Sequence, residues 1–246
     1  MTSRLSEEFQ RLYQLPGAAL PVDRTFLKLV GADGLVRTMV LGLSGPADWP
    51  ALSAVWRGVQ SDLALPAPAI AVNGVDAYEL WFSLAEPVPL ALAAGFLDGL
   101  RQRYLGDVKP ARVQMRPSLG IDGANQSTLR IPAPQGNTGN WAAFVAPDLA
   151  AVFGDEPLLD LPPGEDAQAE LLSRLANIRS AEFEAALARL QATAPDRTTK
   201  KAAPAIDASA QPARAYEASA RKFLFEIMND ATVPIASRIE AAKGLL

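Results

Sequence analysis

The side chains that most often run enzyme chemistry are missing from this sequence. It has no histidine and no cysteine. That excludes Ser-His-Asp triads, Cys-His dyads, imidazole metal sites, disulfides and zinc-thiolate sites. Carboxylates, Lys, Tyr, Ser and Thr remain for acid-base work. Gly42-Leu43-Ser44-Gly45 holds half of a nucleophile elbow, with no histidine to activate Ser44. No P-loop motif occurs, and no GxGxxG follows a strand. Asp76 and Glu79 flank one candidate strand. Three residues apart they point to opposite faces, which makes them a poor metal pair. They read as a turn aspartate and a solvent-facing glutamate. No metal site and no cofactor is expected.

The basic residues are more orderly. On a strand at 111–115, Val113 and Met115 share one face, and Arg112, Gln114 and Arg116 share the other. On a strand at 128–132, Leu129 and Ile131 face one way and Arg130 the other. Paired as a hairpin, these strands would gather their arginines on one polar face. Such a face suits phosphates, and a solvated sheet face is the alternative. Trp81 and Trp141 could stack on a base or simply pack at core or rim. Residues 195–222 carry six basic against three acidic side chains, Lys200 and Lys201 among them. This stretch reads as a weak nucleic-acid arm or a solvated linker.

These residues need elements to hold them. Leu5, Phe9 and Tyr13 recur at helical spacing within residues 1–15. Two strands, 26–30 and 35–43, flank the turn Gly31–Gly34. Asp48 and Pro50 mark a helix start, and Leu52, Val55, Trp56 and Val59 continue it to about residue 64. Strands at 69–73 and 78–84 follow, with Pro87 and Pro89 breaking the second, then a helix over 90–104. After the strands at 111–115 and 128–132 come a strand within 140–145 and a short helix at 147–153. The order ββ-α-ββ-α-ββ predicts an α+β domain, with a largely antiparallel sheet and helices packed on it.

The predicted organisation is an α+β domain over 1–153, a Pro- and acid-rich linker over 154–165 and a helix over 166–192. A disordered Ala/Pro/Thr/Ser linker over 193–213 and a C-terminal helical pair over 214–246 complete it. Hydrophobic residues make up 49% of the chain and the formal net charge is -4. Such a chain buries a core and does not coat nucleic acid by charge alone. The N-terminus lacks the apolar core of a signal peptide, and no apolar run reaches roughly 18 residues. A cytoplasmic protein without a membrane span is expected.

Residues 26–153 resemble the archaeo-eukaryotic primase-polymerase superfamily of plasmid and phage replication proteins. LVRTMVLGLSGPADW occupies the place of the family's first acidic strand, and PAIAVNGVDAYELWFSLAEPVPLALAAGFLDGL that of its second block and following helix. LRIPAPQGN resembles the late block, with Arg130, Pro132 and Asn137 in matching order. The resemblance implies a core like that of an RNA-recognition motif. It makes Arg130 a nucleotide- or phosphate-contacting arginine, with Asn137 beside it in the motif. The sequence departs from the family where its chemistry lies. Gly42 and Ser44 stand where metal-binding acids alternate, Glu79 stands near the histidine position, and the Ser-x-His pair is absent. Two-metal phosphoryl transfer needs clustered carboxylates, so no polymerase activity is expected.

The segment ARKFLFEIMNDATVPIASRIEAAKGLL resembles helical segments of phage small terminase subunits, which implies oligomerisation or DNA association through the C-terminal helices. Together these features predict a non-catalytic mobile-element replication or packaging accessory. It would bind DNA or RNA, or a replication or packaging protein, through Arg112, Arg116, Arg130 and Asn137, with tail contacts from Lys200 and Lys201. The alternatives are an active nucleotidyltransferase using an unusual carboxylate set such as Asp76 with Asp107, and a pure protein-interaction scaffold.

Overall fold

A computed structural model describes residues 3–17, 25–119, 126–136, 138–154 and 156–193. Asn137, Lys200, Lys201 and the predicted segments beyond residue 193 lie outside the described residues. Residues Met1–Pro195 form one compact unit.

Its centre is a pair of long strands. β2, Leu35–Ser44, runs antiparallel to β4, Ala77–Pro89, with Val40 opposite Trp81, Leu41 opposite Leu80 and Gly42 opposite Glu79. Alternation along each strand divides their side chains between two buried faces. Met39, Leu41, Leu43, Tyr78, Leu80 and Phe82 enter one core, and Val40 and Trp81 enter the other.

β3, Ala69–Val72, flanks β4, and β5, Val113–Arg116, flanks β2. β8, Trp141–Val145, and the two-residue β7, Ala133–Pro134, complete a six-stranded antiparallel sheet of order β5-β2-β4-β3-β8-β7. A separate ribbon pairs β1, Phe26–Lys28, with β6, Ser127–Leu129. The predicted α+β class with an antiparallel sheet and packed helices is the observed one.

Among the described residues five helices dress the sheet. α2, Trp49–Ser61, starts as predicted: the Asp48 carboxylate accepts from Ala51 N–H at 3.0 Å, and Pro50 sits in the first turn. α3, Leu90–Tyr104, sends Phe96, Leu97 and Leu100 into the first core, and α5, Ser180–Thr193, adds Phe183, Ala186 and Leu190. α1, Arg4–Tyr13, and α4, Glu165–Ser173, cover the second core with Phe9, Leu12, Tyr13 and Leu172. Gln168 of α4 acts as a substitute strand, accepting from Phe144 N–H and donating to Phe144 C=O at 2.9 Å each. No described helix is long and apolar enough to cross a membrane.

Five expectations need correction. The strands at 26–30 and 35–43 do not form a hairpin. Across the turn Val30 bridges Val36 and Gly31 N–H donates to Leu35 C=O at 2.8 Å, but β1 pairs with β6 instead, Leu27 opposite Thr128. The proline-bearing end of β4 does not break. Leu35 pairs with Pro89 and Val36 with Val88, past the reach of β3, so a proline lacking its N–H faces a free edge there.

Arg112 lies in a 3₁₀ turn, Pro110–Arg112, ahead of β5. The predicted helix over 166–192 is two helices. Between them Ile178 N–H donates to Ser83 C=O and Ile178 C=O accepts from Ala85 N–H, both at 2.8 Å. The chain is diverted to pair with the edge of β4 that β3 leaves open. The predicted linker also pairs: Trp141 N–H donates to Leu159 C=O at 2.8 Å.

Candidate functional site

Across β5, β2 and β4 the second sheet face carries a row of polar side chains. Gly42 lies between Gln114 and Glu79, with no side chain of its own to separate them. Arg116 donates to Glu79 Oε1 at 3.1 Å and to Gln114 Oε1 at 2.7 Å. Gln114 in turn donates to Ser44 Oγ at 2.9 Å. Glu79 Oε2 accepts from Trp81 Nε1 at 2.9 Å. Glu79 is therefore not the solvent-facing residue that the sequence predicts. It is 6% exposed, because its strand is covered on both faces. A buried carboxylate needs a partner charge and hydrogen bonds, and Arg116 and Trp81 supply both.

The expected arginine hairpin does not form. β5 is the edge of the six-stranded sheet and β6 belongs to the ribbon. The apolar faces of the two strands serve different cores: Val113 and Met115 pack on the first and Leu129 on the second. The three arginines consequently line three different clefts. Arg112 donates to Ser44 C=O at 3.1 Å and Pro46 C=O at 2.7 Å, and sits 3.5 Å from the Asp48 carboxylate. It fastens the loop that leads into α2.

Arg116 lies in a cleft of about 490 Å³ between the ribbon and the sheet, with Phe26, Glu79, Ser127, Thr128 and Gln135 among its walls. Arg130 lines a neighbouring cleft of about 610 Å³ with Ser6, Phe9, Trp141 and Glu165. Its guanidinium carbon stands 4.6 Å from the centre of the Phe9 ring, within cation–π range. The two clefts share Thr25, Ile131 and Pro134 as lining residues, so they adjoin.

No protein-family model matches this chain, and no curated protein matches it.

The tryptophans separate in role. Trp81 is 1% exposed and ringed by Phe9, Tyr13 and Phe144 at centroid distances of 6.2, 5.2 and 5.6 Å. It is a core residue. Trp141 is half-buried on the wall of the second cleft. Asp76 occupies the β3–β4 turn, where its carboxylate accepts from the Asn73 amide at 3.3 Å. Asn73 also accepts three backbone N–H bonds, from Val75, Asp76 and Ala77, at 2.9 Å each. Among the described residues no group of three or more acidic side chains could hold a metal ion.

Sequence reasoning missed Phe26, Ser127 and Thr128. Their place in the cleft depends on the β1–β6 pairing, and two three-residue strands a hundred residues apart leave no local signal of it.

Proposed function

We propose that this domain is a non-catalytic binding module that holds a single-stranded nucleic acid along the two adjoining clefts. One observation carries the reading: each cleft combines one arginine with one solvent-accessible aromatic ring, Arg116 with Phe26 and Arg130 with Trp141. Aromatic faces that stack on bases, interleaved with cations near the backbone, are what sequence-tolerant single-strand binding requires. Arg130 takes the phosphate contact from the wall of the second cleft.

The setting, an accessory in mobile-element replication or packaging, rests on the primase-like resemblance. What supports it is that Gly42, Ser44 and Glu79 share the face beside the first cleft, where that family keeps its acids and histidine. The test is a titration of the full chain with single- and double-stranded DNA over a salt series. Salt-dependent binding that favours the single strand is expected. Absent or salt-insensitive binding would overturn the reading.

A second reading, a protein-interaction scaffold, is favoured by charge. Residues 1–194 contain fifteen basic and twenty-one acidic side chains, which repels a polyanion at long range. Deleting residues 195–246 and measuring assembly mass and DNA affinity separates the two. The scaffold reading expects loss of assembly with no DNA binding before or after.

A further inference from the structure

The cleft beside Arg116 differs chemically from its neighbour. Two of the arginine's nitrogens are engaged, Nη1 by Glu79 and Nη2 by Gln114. The Glu79–Arg116 pair at its floor is neutral as a whole. Each Glu79 oxygen accepts one hydrogen bond, from Arg116 or from Trp81, and a carboxylate oxygen has capacity for a second.

Above this floor stands Thr128, 6% exposed, whose hydroxyl has no hydrogen-bond partner among the described residues although the residue lines the cleft. The residue is buried, but its oxygen reaches the open space of the cleft, where a ligand can take the hydrogen bond that water otherwise fills. The Ser127 hydroxyl and the Gln135 amide line the same space, also without side-chain partners among the described residues. Phe26, 54% exposed, adds a flat apolar surface at the wall.

A phosphate is poorly served by this arrangement, because the Arg116 guanidinium is already neutralised by Glu79 and engaged by Gln114. An uncharged flat heterocycle with N–H donors is well served. The donors meet Glu79, the ring meets Phe26, and the ring's acceptors meet the hydroxyls. The volume of about 490 Å³ falls in the range of small-ligand sites.

We propose that this cleft is a base pocket, taking one nucleobase that bears an exocyclic amine and donates it to Glu79, with Thr128 bonding the same base. Arg116 is then a positioning residue that holds Glu79, and the phosphate contacts fall to the neighbouring cleft. The proposal rests on the single-strand reading above and adds a base preference to it. Cytosine and thymine stack alike but differ on this edge, an exocyclic amine in cytosine against a carbonyl beside the N3–H in thymine, so they are the pair that isolates the amine.

The experiment titrates the full chain with fluorescein-labelled twelve-nucleotide oligodeoxycytidine and oligothymidine. The cytidine strand binds roughly tenfold tighter or more, the effect of one hydrogen bond to a charged group. Glu79→Gln brings the two affinities together. That variant also strands Arg116, so Thr128→Val is the second probe. The Thr128 hydroxyl holds no side-chain partner in the free protein. Its loss therefore weakens the cytidine complex several-fold and leaves the melting temperature unchanged. Equal affinity for the two strands overturns the base pocket and leaves the single-strand groove standing. Undiminished binding by Thr128→Val likewise overturns the pocket. Binding to neither strand overturns the groove and the pocket together.

Discussion

Arg116 Nη1 donates to Glu79 Oε1 at 3.1 Å, and this ion pair ties the edge strand β5 to β4 across the glycine at position 42. The two ends differ in exposure: the Glu79 side chain is 8% exposed and that of Arg116 25%. Removing the arginine leaves a buried carboxylate behind. Arg116→Met is predicted to destabilise the domain by roughly 3 kcal/mol, the low end for breaking a buried pair, because the arginine keeps partial contact with water. Replacing both, Arg116→Met with Glu79→Gln, recovers much of the loss. A double-mutant cycle by urea denaturation measures the coupling. Additive single effects would contradict the pairing.

Arg37 is predicted to hold α1 in place. From β2 it donates to the carbonyls of Gln14 and Arg11 at 2.6 Å each and of Leu84 at 3.1 Å. The bonds to Arg11 and Gln14 satisfy carbonyls at the C-terminal end of α1, which have no partner within the helix. Arg37→Met costs about 2 kcal/mol, in the range for hydrogen bonds from a charged donor. Since α1 supplies Ser6 and Phe9 to the second cleft, the same variant weakens single-strand binding. Faster amide exchange confined to α1 is the structural readout. Unchanged exchange there would show that α1 is held without Arg37, by its apolar face and by bonds such as Thr38 Oγ1 to Tyr13 C=O.

How much of this was legible in the sequence follows the range of the forces involved. The start of α2 was readable because a capping aspartate and a first-turn proline act within a few residues. α3 was readable because one helical face carries Phe96, Leu97 and Leu100. That Trp81 turns away from Tyr78 and Leu80 followed from strand alternation. Partner choice was not readable. Nothing local to Phe26–Lys28 distinguishes pairing with β2 from pairing with β6, and the arginine hairpin failed for the same reason. The break between α4 and α5 answers an open edge on β4, and the burial of Glu79 answers Arg116 on another strand. Those causes exist only once the sheet is assembled.

Gly99 gives a prediction against helix propensity. Alanine in the middle of α3 favours the helix by about 1 kcal/mol. A Cβ on Gly99, however, would stand 2.9 Å from Leu190 Cβ on α5, and that atom cannot move without its backbone. Overpacking of this kind costs roughly 1–3 kcal/mol, so Gly99→Ala is net destabilising and acts first on α5. Denaturation midpoints together with hydrogen exchange of residues 180–193 test it. A stabilised variant would show that α3 and α5 have slack between them.

Tyr13 makes the fold sensitive to high pH. Burial holds its hydroxyl protonated well above the ordinary tyrosine range, opposed only in part by the charge of Arg11. The unfolded chain releases this proton near the ordinary value of 10.0 and the folded chain does not. The stabilising contribution is therefore complete below about pH 10 and declines as pH rises above it. Tyr104 acts with the same sign: burial is the main cause pushing its pKa up to about 12. Tyr13→Phe should flatten the alkaline limb of melting temperature against pH and leave neutral stability nearly unchanged. An alkaline limb identical to that of the wild type would place the titrating group elsewhere.

In the proposed complex a single strand lies along the two clefts on the α1 and ribbon side of the sheet. Amide chemical-shift mapping of the isotope-labelled full chain, titrated with a twelve-nucleotide oligodeoxycytidine, tests it most directly. The predicted result is that shifts concentrate at Phe26, Ser127–Arg130 and Trp141, while α3 and α5 stay still. Shifts on α3 and α5, or no shifts among residues 3–193, would contradict it.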